Sequence, residues 1–224
     1  MRIWAPLVDF TVDEGELRCL IGPNGAGKST FFKLLTGQIK PSHGHVRFRG
    51  VEITGLEPHA IARLGIGIKT QVPSVFDGLT VRENLWISAA RHHSGHAAER
   101  AVDEAVERLR LGGIIKQLVG QLAHGQRQWV ELGVVLSAKP TVILLDEPAA
   151  GMTEDETLRT AELIRDINRS HALIVVEHDM RFIRMIARRI TVFDRGAILV
   201  EGDVDSVFAN QAVRDCYLGK KAAA

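Results

Sequence analysis

The sequence contains few cysteines, and none in a pattern that binds metal or performs redox chemistry. Its 224 residues include two, Cys19 and Cys216, and neither has CxxC or Cys/His spacing. Cys19 lies in the apolar run Leu17–Ile21, where a buried, reduced thiol is expected. The cysteines therefore disfavour a disulfide framework and fit a cytosolic compartment.

The sequence also lacks an excess of charge and a long apolar run. With 28 basic and 27 acidic residues the formal net charge is +1, so no broad basic footprint is present and no nucleic-acid partner is expected. No run of about 18 apolar residues occurs, and the N-terminus has no signal-peptide pattern. A role at a membrane would have to come through a partner.

A glycine-rich segment joins a predicted strand to a predicted helix near the N-terminus. The strand is Leu17–Ile21, and the helix spans 28–36 and is ended by Gly37. Residues 22–29, GPNGAGKS, match G-x-x-x-x-G-K-[ST] in the strand–loop–helix context that this motif requires. Backbone N–H groups of such a loop surround phosphate oxygens, Lys28 reaches the outer phosphates, and the Ser29 hydroxyl suits Mg²⁺. The alternative is a plain glycine-rich turn with a surface lysine.

Two later runs, 142–145 and 173–176, are apolar on both faces, as strands of a covered parallel sheet are. The predicted fold is therefore α/β: a P-loop NTPase (RecA-like) core with a parallel sheet, an antiparallel β flank and an inserted helical subdomain. Residues 1–72 and 139–224 are assigned to the nucleotide-binding core and 73–138 to the helical subdomain, within one domain in total.

Local signals place further elements along this fold. Two capping boxes, Thr80 with Glu83 and Thr153 with Glu156, predict the starts of helices, the second running to about residue 168. The other predictions are a β segment at 45–53 with a turn at Gly50, helices at 57–64, 97–111 and 126–138, and a hairpin turn at 194–196.

Two adjacent carboxylates, Asp146 and Glu147, follow the apolar strand at 142–145. Ligands of open α/β sheets bind at the carboxyl ends of the strands, so Asp146 is placed to hold a metal through water and Glu147 to activate an attacking water. In isolation, such a pair is the end of a strand running into a solvated loop. After a complete phosphate loop, the catalytic interpretation is favoured.

Three other features carry little weight singly. His178 ends the predicted strand at 173–176 and should emerge at the same sheet edge as Gly22 and Asp146. Gln71 lies at the junction of core and helical insert, and Leu122–Gln126 precedes a helix whose N-terminus is a potential anion site. The alternatives are that His178 is a structural histidine, that Gln71 is a surface residue, and that Leu122–Gln126 is an ordinary helix start.

Together these motifs resemble the ATP-binding subunits of ABC transporters, and the resemblance covers nearly all of the chain. The order is the specific part: Walker A at 22–30, Q-loop Gln71, signature Leu122–Gln126, Walker B ending in Asp146 and Glu147, and switch His178. The resemblance implies catalytic roles for Glu147, His178, Gln71 and Lys28, with Mg²⁺ held by Ser29, Gln71 and, through water, Asp146. It implies ATP binding by Gly22, Pro23, Asn24, Gly25, Ala26, Gly27, Lys28, Ser29, Thr30 and Asp146, and by Ala123, His124, Gly125 and Gln126.

The family also implies partners. ATP is sandwiched between two such subunits, identical or paralogous, arranged head to tail, so that the signature of one closes over the phosphates held by the other. The pair attaches to transmembrane permease subunits at the cytoplasmic face of the inner membrane, and a periplasmic binding protein acts indirectly. Val75 and Phe76 are equally consistent with contact to the permease and with packing inside the helical insert.

A closer resemblance is to importers of hydrophobic and branched-chain amino acids, and within them to the urea-type ATPase. It rests on HGQRQWVELG at 124–133, with His124 where most ABC proteins have glycine, on AAGMTEDE at 149–156, and on Tyr217-Leu218-Gly219. The substrate implied is urea or a short-chain amide, and branched-chain amino acids are the close alternative because other subunits choose the substrate.

Two departures from the family pattern bear on activity. Ala123 stands where the signature usually has serine, which removes a hydroxyl that would bond γ-phosphate, and such a bond is worth about 1.5–3 kcal/mol. The aromatic that stacks on adenine is expected at a position before Met1. Trp4 is a possible substitute, although its spacing favours a core or edge tryptophan.

Other functions would leave other features in the sequence, and two further clusters have ordinary structural interpretations. A soluble ABC ATPase of repair or translation would carry two cassettes or a coiled coil, a GTPase would carry N-K-x-D, and a degenerate half of a heterodimer would fit Ala123. A basic helix at 181–189 is predicted to be amphipathic with a solvated face, rather than to bind lipid. His92, His93 and His96 have no companion ligands at metal-site spacing and are interpreted as a polar loop.

Overall fold

The computed structural model describes the backbone of residues 2–5 and 8–218 and the side chains of residues 8–217. The chain forms two compact units, which we call the first unit (residues 1–61 and 172–224) and the second unit (residues 62–171). The phosphate-loop motif belongs to the first unit, and the helices predicted between 73 and 138 belong to the second.

The described elements of the first unit come from both ends of the chain. The N-terminal part contains β1 Arg2–Ala5, β2 Val8–Thr11, β3 Leu17–Ile21, α1 Lys28–Leu35, β4 His45–Phe48 and β5 Val51–Glu52, and α2 Pro58–Arg63 leads into the second unit. The C-terminal part contains β8 Ala172–Val176, α7 Met180–Ile186, β9 Arg189–Asp194, β10 Ala197–Gly202, α8 Val204–Ala209 and α9 Gln211–Leu218.

The first unit has a parallel centre and an antiparallel flank. β3 pairs in parallel with β8 on one side and with β9 on the other, and β10 pairs antiparallel with β9. All five residues of β3 are buried, as expected for an apolar strand with both neighbours in place. The antiparallel flank has the order β2-β1-β4-β5. The predicted parallel sheet and antiparallel flank are confirmed.

One charged residue lies inside β3. Arg18 is only 1% exposed. Its guanidinium donates hydrogen bonds to the Glu16 carboxylate at 2.6 Å, to Glu201 at 2.7 Å, to the Thr191 hydroxyl at 2.9 Å and to the Thr11 carbonyl at 3.2 Å. A buried guanidinium is stable only when its donors are largely satisfied, and these acceptors take four of its five N–H groups. Arg18 therefore ties β3 to β2, β9 and β10.

The second unit combines a strand pair with packed helices. Its elements are β6 Ile66–Lys69, α3 Val81–Ala90, α4 His96–Arg108, α5 His124–Ser137, β7 Val142–Asp146 and α6 Glu154–Asn168, with single 3₁₀ turns at Gly112–Ile114 and Val119–Gln121. β6 and β7 are parallel, and α3, α4 and α5 pack on one another. Both predicted capping boxes are present, at Thr80 for α3 and at Thr153 for α6.

Several predicted helix bounds are wrong, and the helix predicted at 97–111 ends at Arg108. α5 begins at His124 instead of Gln126, because the Gln126 side chain folds back to accept the Ala123 N–H at 3.1 Å and so extends the first turn. The basic helix α7 ends at Ile186, since Ala187 is extended at ψ 135°, and Arg189 belongs to β9. The apolar face of α7 is buried as expected, through Phe182, Ile183 and Ile186.

Among residues 2–5 and 8–218, no helix is both long enough and apolar enough to cross a membrane.

Candidate functional site

The phosphate loop (residues 22–30) connects β3 to α1 and depends on glycine at defined positions. Gly22, Gly25 and Gly27 have φ values of 146°, 79° and 104°, a region that L side chains rarely adopt. A Cβ on Gly22 would also lie 2.2 Å from the Phe193 carbonyl oxygen. The loop can therefore pass this close to β9 only with glycine at position 22.

Lys28 is the first residue of α1, and its ammonium lies along the loop. Nζ donates hydrogen bonds to the Gly22 carbonyl at 2.6 Å and to the Pro23 carbonyl at 3.1 Å. The helix has no side-chain N-cap, because Gly27 holds that position in the left-handed conformation. The start of α1 provides backbone amides, the Lys28 ammonium and the exposed hydroxyls of Ser29 and Thr30. These groups together match the oxygens of a polyphosphate.

His178 and Tyr217 lie near the phosphate loop within the first unit. β3 and β8 run in parallel with Leu20 opposite Val176, so Gly22 and His178 both follow the carboxyl ends of neighbouring strands, as predicted. Tyr217 is 37% exposed as a residue, but loss of water around its hydroxyl raises the pKa of Tyr217 to about 12, and a hydrogen bond with the Gly22 backbone opposes that rise. The sequence signal for Tyr217 was its place in the Tyr217–Gly219 ending, of which Gly219 lies outside the described residues.

Gln71, Asp146 and Glu147 lie at the carboxyl ends of the paired strands of the second unit. Lys69 of β6 is opposite Leu145 of β7, so Gln71 and Asp146 leave the same edge of that pair. Gln71 is exposed, and both carboxylates are half-buried. Glu147 has φ 47°, an unfavourable conformation for a residue with a side chain and one that recurs at functional sites.

The signature turn (residues 122–126) also belongs to the second unit. Ala123 is the N-cap of α5 and provides no side-chain acceptor, so only the Gln126 half of a capping box is formed. Gly125 is buried, and a Cβ there would lie 2.2 Å from Oε1 of Glu156, whose other oxygen caps α6. Glycine at 125 therefore leaves room for the Glu156 carboxylate beside α5.

His124 joins the signature turn to the turn that follows Walker B. Its Nε2 lies 3.0 Å from the Ala150 carbonyl oxygen, a hydrogen-bond distance. Gly151 has φ 72°, and a Cβ on it would lie 3.1 Å from the same Nε2. The two unusual residues of the sequence motifs, His124 and Gly151, are therefore in contact, a relation that their separation along the chain hid.

Sequence reasoning also left the surroundings of Val75, Phe76 and Trp4 undecided. Phe76 is 58% exposed and Val72 is 74% exposed, while Val75 is half-buried. An exposed phenylalanine beside the Q-loop favours contact with another protein over packing inside the insert. The side chain of Trp4 lies outside the described residues.

The sequence pattern of the family described as ABC transporter matches residues 7–150. The chain belongs to the ABC transporter family. It is therefore an ABC-type ATPase, whose family members bind ATP and ADP, and the resemblance inferred from the motifs is confirmed.

Relatives in the ABC transporter family serve different cargoes. The high-affinity branched-chain amino acid transport ATP-binding protein BraF of Pseudomonas aeruginosa is 34% identical over 231 residues, covering 95% of this chain and 91% of BraF. LivG of Escherichia coli K12, described in the same words, is also 34% identical, with coverages of 92% and 88%. The lipopolysaccharide export system ATP-binding protein LptB of Haemophilus influenzae is 32% identical, with coverages of 96% and 90%.

Solved structures of ABC cassettes confirm the α/β fold. A nucleotide-free cassette superposes with a TM-score of 0.86 at 26% identity, covering 95% of this chain and 92% of that one. A cassette in its ADP conformation gives 0.86 at 27% identity, with coverages of 95% and 91%. A dimeric cassette in a post-hydrolysis state, bound to ADP and Pi, gives 0.78 at 25% identity, with coverages of 88% and 89%.

Proposed function

We propose that the chain uses ATP hydrolysis to power an importer for small amino-acid-like or amide substrates. The observation that carries this proposal is the phosphate loop, in which three glycines have positive φ and Lys28 bonds two loop carbonyls at the start of α1. Such a set of donors binds a nucleoside triphosphate through backbone N–H groups and one ammonium. Membership of the ABC family supports transport as the purpose of the hydrolysis.

Each motif has a role in this proposal. The amides of residues 22–30 and Lys28 bind the phosphates, and Gln71 and His178 respond to γ-phosphate. Ser29, Gln71 and Asp146 would hold Mg²⁺, which neutralises phosphate charge when bound, and their oxygen donors are of the kind that Mg²⁺ takes. Glu147 accepts a proton from the attacking water. The positive φ of Glu147 supports this role, because it sets the direction of that side chain against the preference of the backbone.

We further propose that two such subunits close head to tail. The signature turn then reaches the phosphates held by the partner subunit, with Ala123, His124, Gly125 and Gln126 at the contact. The dimeric cassette bound to ADP and Pi supports such a pair. The lack of a side-chain cap on α5 also supports it, because the first amides of that helix keep donors available.

The permease contact is proposed at the exposed apolar residues beside the Q-loop. Val72 and Phe76 are largely exposed, and a docked membrane subunit would cover them. This contact would hold the subunit at the cytoplasmic face of the inner membrane, with a periplasmic binding protein acting through the permease. For the substrate, the His124 and Gly151 motifs favour urea or short amides, and the relatives BraF and LivG favour branched-chain amino acids.

The decisive test is Glu147→Gln. This change removes the proton acceptor and keeps the shape of the side chain, so ATP hydrolysis should fall by about a hundredfold or more while ATP binding persists and the dimer is stabilised. Hydrolysis is measured by phosphate release and dimerisation by sedimentation, for the chain alone and mixed with its paralogous subunit.

Glu162→Gln is the matched control, because it makes the same chemical change at an exposed position of α6. It should leave hydrolysis unchanged. Normal turnover in Glu147→Gln would disprove the general-base role. Uptake of labelled urea and of labelled leucine by the assembly with its permease would separate the two substrate assignments.

A further inference from the structure

A buried ion pair links the strand before the Q-loop to the signature helix. Lys69 ends β6 two residues before Gln71, and Glu131 lies on α5 five residues after Gln126. Their charged groups are 3.5 Å apart, and the residues are only 3% and 2% exposed. Two fully desolvated charges contribute little net stability, and a well-packed apolar pair would stabilise the fold at least as well. This ion pair therefore calls for a role other than stability.

The ion pair continues through Arg127 to the loop that carries Phe76. Arg127 forms an ion pair with Asp77, its Nη2 lying 2.7 Å from Oδ1, and its Nε lies 3.9 Å from Oε1 of Glu131. That distance is too long for a hydrogen bond, and both atoms are buried without a hydrogen-bond partner. Buried polar atoms are almost always bonded, so this gap is an exception. A small movement of Arg127 from Asp77 towards Glu131 would close it.

Asp77 is in turn fixed to the segment that leads into the signature turn. The Gly120 N–H donates to the Asp77 carbonyl at 3.0 Å, and a Cβ on Gly120 would lie 3.1 Å from Cβ of Asp77. On its other side, the Asn84 side chain accepts the Phe76 N–H at 2.7 Å and donates to the Phe76 carbonyl at 3.1 Å. A force applied at the exposed Phe76 ring therefore reaches Asp77 through a short, bonded segment.

We infer that Lys69, Glu131, Arg127 and Asp77 form a charge relay that positions the signature turn according to what contacts Phe76. The inference rests on the proposed function, in which a permease docks beside the Q-loop. Arg127 has two acceptors within reach, Asp77 and Glu131, and this gives the relay two discrete arrangements. With Asp77 held, Arg127 bonds the Phe76 loop to α5. With Asp77 withdrawn, Arg127 bonds Glu131 and releases the loop from α5.

The four residues are positioning residues, because they act through the signature turn. The test uses the full chain carrying Glu147→Gln, which is expected to form an ATP-dependent dimer with itself or with its paralogous subunit. Into this reference we place Arg127→Gln, Glu131→Gln and the apolar double change Lys69→Met with Glu131→Leu. The matched control is Glu104→Gln, which breaks the exposed Lys139–Glu104 pair of 2.7 Å in the same unit.

Three quantities are measured for each variant: Mg-ATP affinity, the ATP-dependent dimerisation constant, and hydrogen exchange of residues 73–80. Arg127→Gln and the apolar double change should weaken dimerisation by about three- to tenfold, the size expected for one step of an electrostatic coupling. Mg-ATP affinity should stay within about twofold of the reference, because the phosphate loop is unaltered. Hydrogen exchange of residues 73–80 should be faster in Arg127→Gln than in the reference. Arg127→Lys should dimerise more tightly than Arg127→Gln, because lysine keeps the positive charge.

The outcomes separate this inference from the proposed function. If the reference binds no ATP or forms no dimer, the proposed function fails and the inference falls with it. If the reference dimerises and the apolar double change dimerises equally well, the relay is disproved, and the ion pair serves folding alone. If Glu131→Gln does not fold, Arg127→Gln still tests the relay. The Arg127 side chain is 25% exposed, and its replacement leaves the ion pair between Lys69 and Glu131 in place.

Discussion

The phosphate loop and the signature turn both open a helix, and both do so without a side-chain cap. The N-caps are Gly27 for α1 and Ala123 for α5, whereas α3 and α6 start with complete capping boxes at Thr80 and Thr153. No capping side chain therefore competes for the first amides at the two helix starts that we propose to bind phosphate, whereas Thr80 and Thr153 each occupy an amide of their own helix.

The two turns differ in what holds them in shape. The phosphate loop depends mainly on its backbone conformation, with positive φ at three glycines, and the Lys28 side chain donates to two of its carbonyls. The signature turn is held by side chains, because Gln126 bonds the Ala123 N–H and His124 bonds the Ala150 carbonyl. A turn that depends on its backbone conformation should tolerate few substitutions. In a turn held by side chains, each substitution should change the free energy of unfolding by a smaller amount. Substitutions in the two turns test this difference.

Gly22→Ala should have the largest effect. The new Cβ would lie 2.2 Å from the Phe193 carbonyl oxygen at φ 146°, so we expect a loss of more than about 3 kcal/mol in free energy of unfolding, together with loss of ATP binding. Gly25→Ala is the control, since its φ of 79° is also positive but no atom lies within 4 Å of the new Cβ. Gly25→Ala should lower the free energy of unfolding by about 1–2 kcal/mol. Urea denaturation measures both, and equal losses would show that space beside β9 is unimportant.

Gly125→Ala should separate stability from function in the signature turn. The new Cβ displaces the Glu156 carboxylate and weakens the α6 cap by about 1 kcal/mol, while alanine improves the helix by about 0.5–1 kcal/mol. Stability should therefore change little, whereas ATP-dependent dimerisation should fall by tenfold or more, because the displaced Glu156 side chain would shift the turn that we propose meets the partner's phosphates. Gly112→Ala, with open space around its Cβ, is the control. Unchanged dimerisation would argue that Gly125 serves only the packing of α5 on α6.

Ala123→Ser should strengthen the signature turn. Ala123 already has N-cap geometry, with φ −61° and ψ 156°, and Gln126 already forms the reciprocal bond. Serine would complete the capping box and raise the free energy of unfolding by about 1 kcal/mol. Tighter ATP-dependent dimerisation is also expected, since the hydroxyl can bond phosphate. A destabilised Ala123→Ser chain would show that side chains do not control this turn.

The contact between His124 and Gly151 should give the smallest effect, a coupling of about 0.5 kcal/mol. Gly151→Ala brings a Cβ to 3.1 Å from Nε2 of His124, so it should cost more with His124 present than in a His124→Gly background. Unfolding of the two single variants and the double variant measures the difference. If the changes in free energy of unfolding of the two single variants simply add in the double variant, the histidine ring moves aside without cost.

Local chemical signals allowed close prediction of several elements. β3 matches the prediction to the residue, because the glycine-rich loop limits it on one side, and α6 follows its Thr153 cap to Asn168 as predicted. The turn between β9 and β10 places Arg195 and Gly196 at positive φ, as a tight hairpin requires. The motifs at Gly22, His178 and Asp146 follow strands that were predicted, since the order of strand and loop is encoded locally, whereas β6 before Gln71 was not predicted.

Contacts between distant side chains could not be predicted. The run at 17–21 was interpreted as apolar, although Arg18 is buried there by acceptors that include Thr191 and Glu201, which lie far along the chain. Lys69 and Glu131 each stand in an apolar stretch, which hints at a buried charge but names no partner. The early start of α5 depends on the Gln126 rotamer, and no feature of residue type fixes that rotamer. The division of roles between the catalytic residues remains a prediction.

The discontinuity of the first unit has a consequence during protein synthesis. β3 is made early, but its partners β8 and β9 follow about 150 residues later, and the whole second unit is made in between. At typical rates of translation, the apolar β3 waits roughly ten to thirty seconds for its neighbours. A sequence change that delays completion of the chain should therefore endanger this strand first, whereas the second unit, being continuous, can fold while the ribosome is still at work.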